Sequence, residues 1–246
     1  LGFIEQTYRS AADAVVEAYS DSSDPPELGD ATPDLLVDAA DNLLEILRKL
    51  EPNHNLLEQP VSAPTFLTKD LHTLGDYGIQ LMTDLALWAQ ALHLSEPLSE
   101  FRIATFALTW WIAQHGGELS RLEPVVDTLA FVANTIKTPH ELERLFAAVS
   151  EIMESVSPAI AQDLDQSNLG RPWRILVLNR AIIATRSHQP ALMEQAFQNL
   201  GELLPDDAPS FFREGMEQMD ALNYPDHVRK VMEKHYQLWC TPKTLH

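Results

Sequence analysis

The sequence predicts an all-α protein, and three observations carry that reading. Apolar residues recur at alternating gaps of three and four along most of the chain, the period of one buried helix face. No run of six or more residues alternates with period two, as a half-buried strand would. Prolines return near the start of one expected helix after another, while only nine glycines serve 246 residues, few for the tight turns of a sheet protein.

In chain order, helices are expected at 3–20 and 33–50, divided by the polar, proline-containing stretch "DSSDPPELGDAT" at 21–32. Residues 51–69, "EPNHNLLEQPVSAPTFLTK", hold three prolines and read as an irregular connection. Further helices are expected at 70–94, 97–115, 119–136, 139–157, 172–187, 190–203, 208–222 and 225–239. The segment "LERLFAAVSEIMESV" sets Leu142, Leu145, Phe146, Val149, Ile152, Met153 and Val156 on one stripe, with Glu143, Arg144, Glu151 and Glu154 mostly opposite. Ahead of it stands a start signal: Thr138 as N-cap, Pro139 at the first helical position, and Glu141 three residues after the cap. His115 before Gly116 and Gly117 reads as a helix end, a ring near the last carbonyls and then glycine to leave the helix. "ILVLN" at 175–179 is the nearest approach to a strand, but "NRAIIA" continues it with helical spacing.

Proline suits the first helical turn because its missing N–H would be unpaired there and its fixed φ matches the helix. Pro172, Pro190, Pro209 and Pro225 are spaced 18, 19 and 16 residues apart. Two helices per unit at that spacing give an α-α superhelix, or solenoid, of antiparallel helical hairpins, each burying its apolar face on its neighbour. About ten helices make up the array, and a closed helical bundle is the alternative architecture. The organisation expected is an amino-terminal hairpin or cap at 1–50, an irregular linker at 51–69 and a helical-repeat domain at 70–246.

Within the carboxyl-terminal third, Phe197 and Pro205 stand eight apart, and Phe211 and Gly215 four apart. In these positions the chain resembles the tetratricopeptide-repeat class of helical hairpins. It departs from that pattern at Leu200, where alanine is usual, and at Val231 and Trp239, where phenylalanine and proline are usual. The resemblance covers roughly 70 residues. It implies a stacked helical array with a concave partner-binding surface, and it identifies no ligand.

Charge and chemistry narrow the function. The net charge is −19. Residues 1–100 carry 18 acidic and four basic side chains, and residues 101–246 carry 18 and 13. Such a field repels nucleic acid and anionic lipid, so neither is an expected partner. The uncharged stretch "IATFALTWWIAQHGG" is too short to span a membrane. Within it Trp110 and Trp111 diverge by about 100° on a helix, so at least one belongs to the core. No charged-then-apolar leader opens the sequence as given, and the single cysteine, Cys240, forms no internal disulfide; a cytoplasmic setting is expected. No glycine-rich phosphate loop, GxSxG elbow, HExxH or cysteine pair occurs, so no cofactor or metal is expected. His72 and Asp76 share a helix face and are the weak metal candidates, while "EPNH" at 51–54 supplies only one Glu-x-x-His pair, in a proline-containing stretch. His235 falls on the apolar stripe of its helix as a half-buried, satisfied histidine, and Asp206 and Asp207 read as caps of the next helix.

The most suggestive cluster is "GRPWRILVLNRAIIATR", where Arg171, Arg174, Arg180 and Arg186 occur with no acid among them. With Trp173, these guanidinium groups either grip a carboxylate or phosphate of a partner or pair with neighbouring acidic helices. The expected function is a non-enzymatic helical-repeat scaffold or adaptor that binds a protein or peptide. The alternative is a helical-bundle enzyme or small-ligand protein with an internal pocket, with His72, Asp76 and Asp84 as first suspects. Acidic mimicry of nucleic acid by the amino-terminal portion is a third reading. Pairing into a homodimer stays open, because a solenoid without polar ends often self-associates.

Overall fold

The computed structural model describes residues 1–50, 65–164 and 166–241, with side chains from 71 onward in the helix that begins at Thr65. Among them every regular element is helical: α1 (Gly2–Asp21), α2 (Pro33–Leu50), α3 (Thr65–Ala91), α4 (Ser95–Gln114), α5 (Glu123–Thr135), α6 (Pro139–Glu154), α7 (Pro158–Ala161), α8 (Pro172–Arg186), α9 (Pro190–Leu203), α10 (Ala208–Ala221) and α11 (Asp226–Cys240). The chain is all-α.

Proline marks the helix starts. Pro33, Pro139, Pro158, Pro172 and Pro190 stand first in their helices, Pro209 second in α10, and Pro225 is the N-cap of α11. At α6 the Glu141 backbone N–H donates to Thr138 Oγ1 at 3.3 Å, while the Thr138 hydroxyl donates to the Glu141 carboxylate. The carboxylate therefore reaches the hydroxyl of the cap residue. Beyond α4, Gly116 adopts φ +77°; its N–H bonds Ala113 O and that of Gly117 bonds Ile112 O, the paired bonds of a Schellman end. The His115 ring N–H donates to Trp111 O at 2.8 Å, and the ring stacks on Trp111. Trp111 is buried and Trp110 half-buried.

Four boundaries differ from the sequence expectation by three residues or more, among them the end of α3, at Ala91 rather than 94. Helix α3 begins at Thr65 rather than 70, since nothing between Pro64 and Gly75 breaks a helix. Helix α5 begins at Glu123 rather than 119, and α6 ends at Glu154 rather than 157. One cause explains both: Leu119 N–H donates to Ser155 O and Ser157 N–H to Leu119 O, an isolated bridge that takes both segments out of helix. Residues 158–161 then form the short α7, an element the periodicity does not announce.

The chain divides into two compact units: unit 1, Leu1–Val132 with Glu154–Ala161, and unit 2, Ala133–Met153 with Gln162–His246. Residues 51–64 of the proposed linker lie outside the described residues.

In unit 1, α1 packs on α2, α3 and α4, and α3 packs on α2 and α4. This is the mutual packing of a bundle, and it makes the amino-terminal pair part of the same unit as α3 and α4. Tyr8, Leu47, Ile79, Met82, Phe101 and Leu108 form its fully buried centre. The Tyr8 hydroxyl donates to Val37 O at 3.1 Å. At Gly78 an added Cβ would stand 2.7 Å from Leu43 Cδ2 and 2.9 Å from Leu108 Cδ2, so glycine permits the close approach of α2 and α4 to α3.

In unit 2, α8 packs on α9, α10 on α11, and α9 on α11. These are two helical hairpins laid side by side in sequence order. Phe197, Phe212 and Met219 are fully buried between them, and Phe197 meets both Phe211 and Phe212 edge to face.

Candidate functional site

The arginines of the Arg-rich segment all have partners within unit 2. Arg180 is only 4% exposed; its Nε donates to Ser150 Oγ at 2.9 Å, its Nη1 to Asn199 Oδ1 at 3.1 Å, and its guanidinium lies 4.3 Å from the Phe146 ring centre. Trp173 is 6% exposed and belongs to the core. Arg171 Nε meets Asp163 Oδ1 at 2.6 Å, and Arg174 meets Asp207 Oδ1 through Nε and Nη2 at 2.8 and 2.7 Å. Both also donate to carbonyls of the preceding loop, Arg171 to Asn168 O and Arg174 to Leu169 O. Asp207 is the N-cap residue of α10, as expected, but makes no side-chain cap bond; its carboxylate faces Arg174, two of whose N–H groups converge on Oδ1, because charge-assisted contacts outcompete a bond to a backbone N–H.

The metal candidates are likewise engaged. His72 Nδ1 bonds Glu118 O at 2.7 Å, and Asp76 accepts from the Ser120 hydroxyl and N–H. The pair shares a face and holds the loop after α4. Among the described residues no cluster of three or more His, Cys, Asp or Glu is placed to hold a metal.

His235 is buried rather than half-buried, stacked on Phe212 and edge-on to Phe197, with Nε2 2.8 Å from Glu194 Oε2; only that nitrogen is satisfied, because Nδ1 is buried without a partner among the described residues. Burial acts to raise the Glu194 carboxyl, but hydrogen bonds from Lys234 and His235 prevail and hold it below the usual carboxylate range.

The fourth arginine leads to an apolar concavity. Arg186, the last residue of α8, donates to Ala133 O at 2.8 Å and to Ile136 O at 3.1 Å. Among the described residues it has no carboxylate partner, in a chain with 36 acidic side chains. It lies on the wall of a groove of about 340 Å³ between α8 and α10, floored by Met219 and Met232. Phe211 and Gly215 line it as well; a Cβ at Gly215 would stand 2.6 Å from Met232 Sδ, so glycine permits the close approach of α11 to α10 beneath the groove. Two apolar side chains form exposed lips, Ile182 at 44% and Leu222 at 63%.

One end of the groove is built from two turns. Tyr224, after α10, lines it and meets His188, after α8, ring to ring. His188 and Asn223 both take the left-handed backbone conformation, at φ 59° and 51°. The His227 ring donates from Nε2 to His188 O at 3.1 Å. Burial, and then the neighbouring His227, push the His188 imidazole below its usual range. Burial raises the Tyr224 phenol, an effect partly offset by the positive charge of Arg186.

Of the residues singled out in the sequence, the groove uses Arg186, Phe211 and Gly215. Met219, Leu222, Tyr224 and Met232 carry no motif. The signal that points to them is adjacent apolar pairs. Consecutive residues diverge by about 100° on a helix, so in "II" and "FF" one side chain faces the core and the other faces away. Ile183 is 1% exposed against 44% for Ile182, and Phe212 is fully buried while Phe211 lines the groove.

No protein-family model, no curated protein and no solved structure matches this chain.

Proposed function

We propose that this chain is a non-enzymatic binding protein whose unit 2 groove takes an apolar helical segment of a partner polypeptide. The observation that carries the reading is the groove itself, with fully buried methionines beneath and two exposed apolar lips, Ile182 and Leu222, at its mouth. Helix-in-groove recognition uses this arrangement, with anchors every third or fourth residue entering an apolar cleft. The other features that invited a catalytic reading are occupied structurally: His72 and Asp76 hold a loop, and the buried His235 bonds the partly exposed Glu194. No helix among the described residues is long and apolar enough to cross a membrane, and a chain with one cysteine suits a reducing cytoplasm.

The test is selection from a displayed library of random helical peptides, about four turns long, against the immobilised full chain. Peptides that bind with one-to-one calorimetric stoichiometry, and fail to bind an Ile182→Glu/Leu222→Glu variant of unchanged circular dichroism, support the reading. Failure to enrich any peptide, or binding indifferent to the double variant, overturns it. Both positions are exposed, so the variant perturbs the mouth and leaves the core alone.

A further inference from the structure

The groove is electrically lopsided, and the asymmetry constrains what fits it. Arg186 stands where α8 ends, near enough to Tyr224 for its charge to act on the phenol. Its two contacts are neutral carbonyls. Glu214 lines the groove from α10, exposed and without a cation among the described residues. Eight residues separate Glu214 from Leu222 along α10, about 12 Å at the helical rise. The wall from Phe211 to Leu222 is about 16 Å long, matching about three turns of a docked helix. Between the charges the surface is mostly apolar, with Gln218 and Thr185 as its polar members. We propose that the occupant is an amphipathic helix of fixed polarity, with an acidic residue at its Arg186 end, a basic residue facing Glu214, and an apolar stripe between them.

This rests on the groove being the binding site, and it adds the partner's chemistry and direction. Charge complementarity across an interface sets register and suppresses wrong partners more than it adds raw affinity. A helix docked in reverse would place like charges together at both ends, and that penalty selects orientation. Arg186 is suited to the task because the carbonyls of Ala133 and Ile136 fix its guanidinium plane without neutralising it. Polyanions and anionic bilayers are poor occupants of a chain with net charge −19. A small apolar anion would meet Arg186 but leave Glu214 facing its apolar body.

The experiment compares peptides selected on the native full chain with peptides selected on Glu214→Lys, whose altered side chain is exposed. On the native chain the enriched sequences should carry a base near one end and an acid two to three turns away, flanking apolar residues. On Glu214→Lys the base should give way to an acid at that position. The peptide selected on the native chain should lose about tenfold in affinity for the variant at low salt, and less at high salt. Enriched peptides whose charges ignore the variant overturn the polarity while the groove reading stands. If no peptide is enriched but 8-anilinonaphthalene-1-sulfonate binds and is lost in Ile182→Glu/Leu222→Glu, the occupant is a small anion. In that case the polarity and the peptide reading both fall.

Discussion

The rings of His188 and Tyr224 meet with centroids 5.3 Å apart and planes at 69°, joining the turn after α8 to the turn after α10. The surroundings of the imidazole favour its neutral form. Burial and the neighbouring His227 both lower the His188 pKa, and no carboxylate counters them. The unfolded chain takes up a proton near the ordinary histidine value of about 6.5, whereas the folded chain resists it to lower pH. Stability associated with His188 is therefore present above that value and falls as pH drops through the window beneath it. Melting temperature measured from about pH 8 to about pH 5 should fall more for the native chain than for His188→Asn, because asparagine tolerates the left-handed backbone and does not titrate. Parallel pH profiles would show that His188 is not the titrating group.

Trp173 and Arg180 were candidates for contact with a partner on sequence grounds, and their burial makes a stability prediction instead. Trp173→Ala removes a large core side chain and should lower stability by about 3–5 kcal/mol. Arg180→Ala strips donors from Ser150 and Asn199 and the cation from the Phe146 face; a loss of about 3 kcal/mol is expected. Denaturant titration by circular dichroism measures both. A change under about 0.5 kcal/mol, the scale of ordinary surface substitutions, would contradict their placement in the core.

These two residues show where sequence reading succeeds and where it stops. Helix starts at Pro139, Pro172 and Pro190 are legible because the signals are local: proline in the first turn and apolar spacing after it, joined at Pro139 by the cap residue Thr138. The partners of Arg174 and Arg180 are not, since Asn199 approaches only once α9 folds back on α8, and Asp207 only once the next hairpin stacks on the first. The extended bridge at Leu119 was hidden for the same reason; nothing near Leu119 announces Ser155 and Ser157 as its partners. The groove is nonlocal too, drawing on α8, α10 and α11. It left one trace in the primary structure, the doublets Ile182–Ile183 and Phe211–Phe212, in which one member of each pair had to face away from the core.

Glu194 makes a second pH-dependent prediction with a lower window. Its carboxyl is held below the usual range, because hydrogen bonds from Lys234 and His235 outweigh burial. Stability from these bonds is fully present above the ordinary glutamate value of about 4.3 and is lost as pH falls through the folded value. Glu194→Gln should cost under about 1 kcal/mol near neutrality, since the carboxylate is partly exposed. It should also flatten the acid limb of the stability profile. An acid limb unchanged in the variant would contradict the coupling.

Gly201 offers the sharpest test of how α9 and α11 pack, because the sign of the effect decides it. Replacing a helical glycine with alanine ordinarily stabilises by up to about 1 kcal/mol. Here a Cβ would stand 2.4 Å from Trp239 Cζ2 and 3.1 Å from Cε2, far inside van der Waals contact. The indole is a rigid plane on α11, so relief requires rotating it away or separating the helices. Gly201→Ala should therefore destabilise by about 1–3 kcal/mol, the range for overpacked cores, and Trp239→Ala in the same chain should recover part of that loss. Measured in a double-mutant cycle, the coupling between the positions should exceed about 0.5 kcal/mol. A stabilising Gly201→Ala, additive with Trp239→Ala, would mean that the indole does not cover Gly201 in solution.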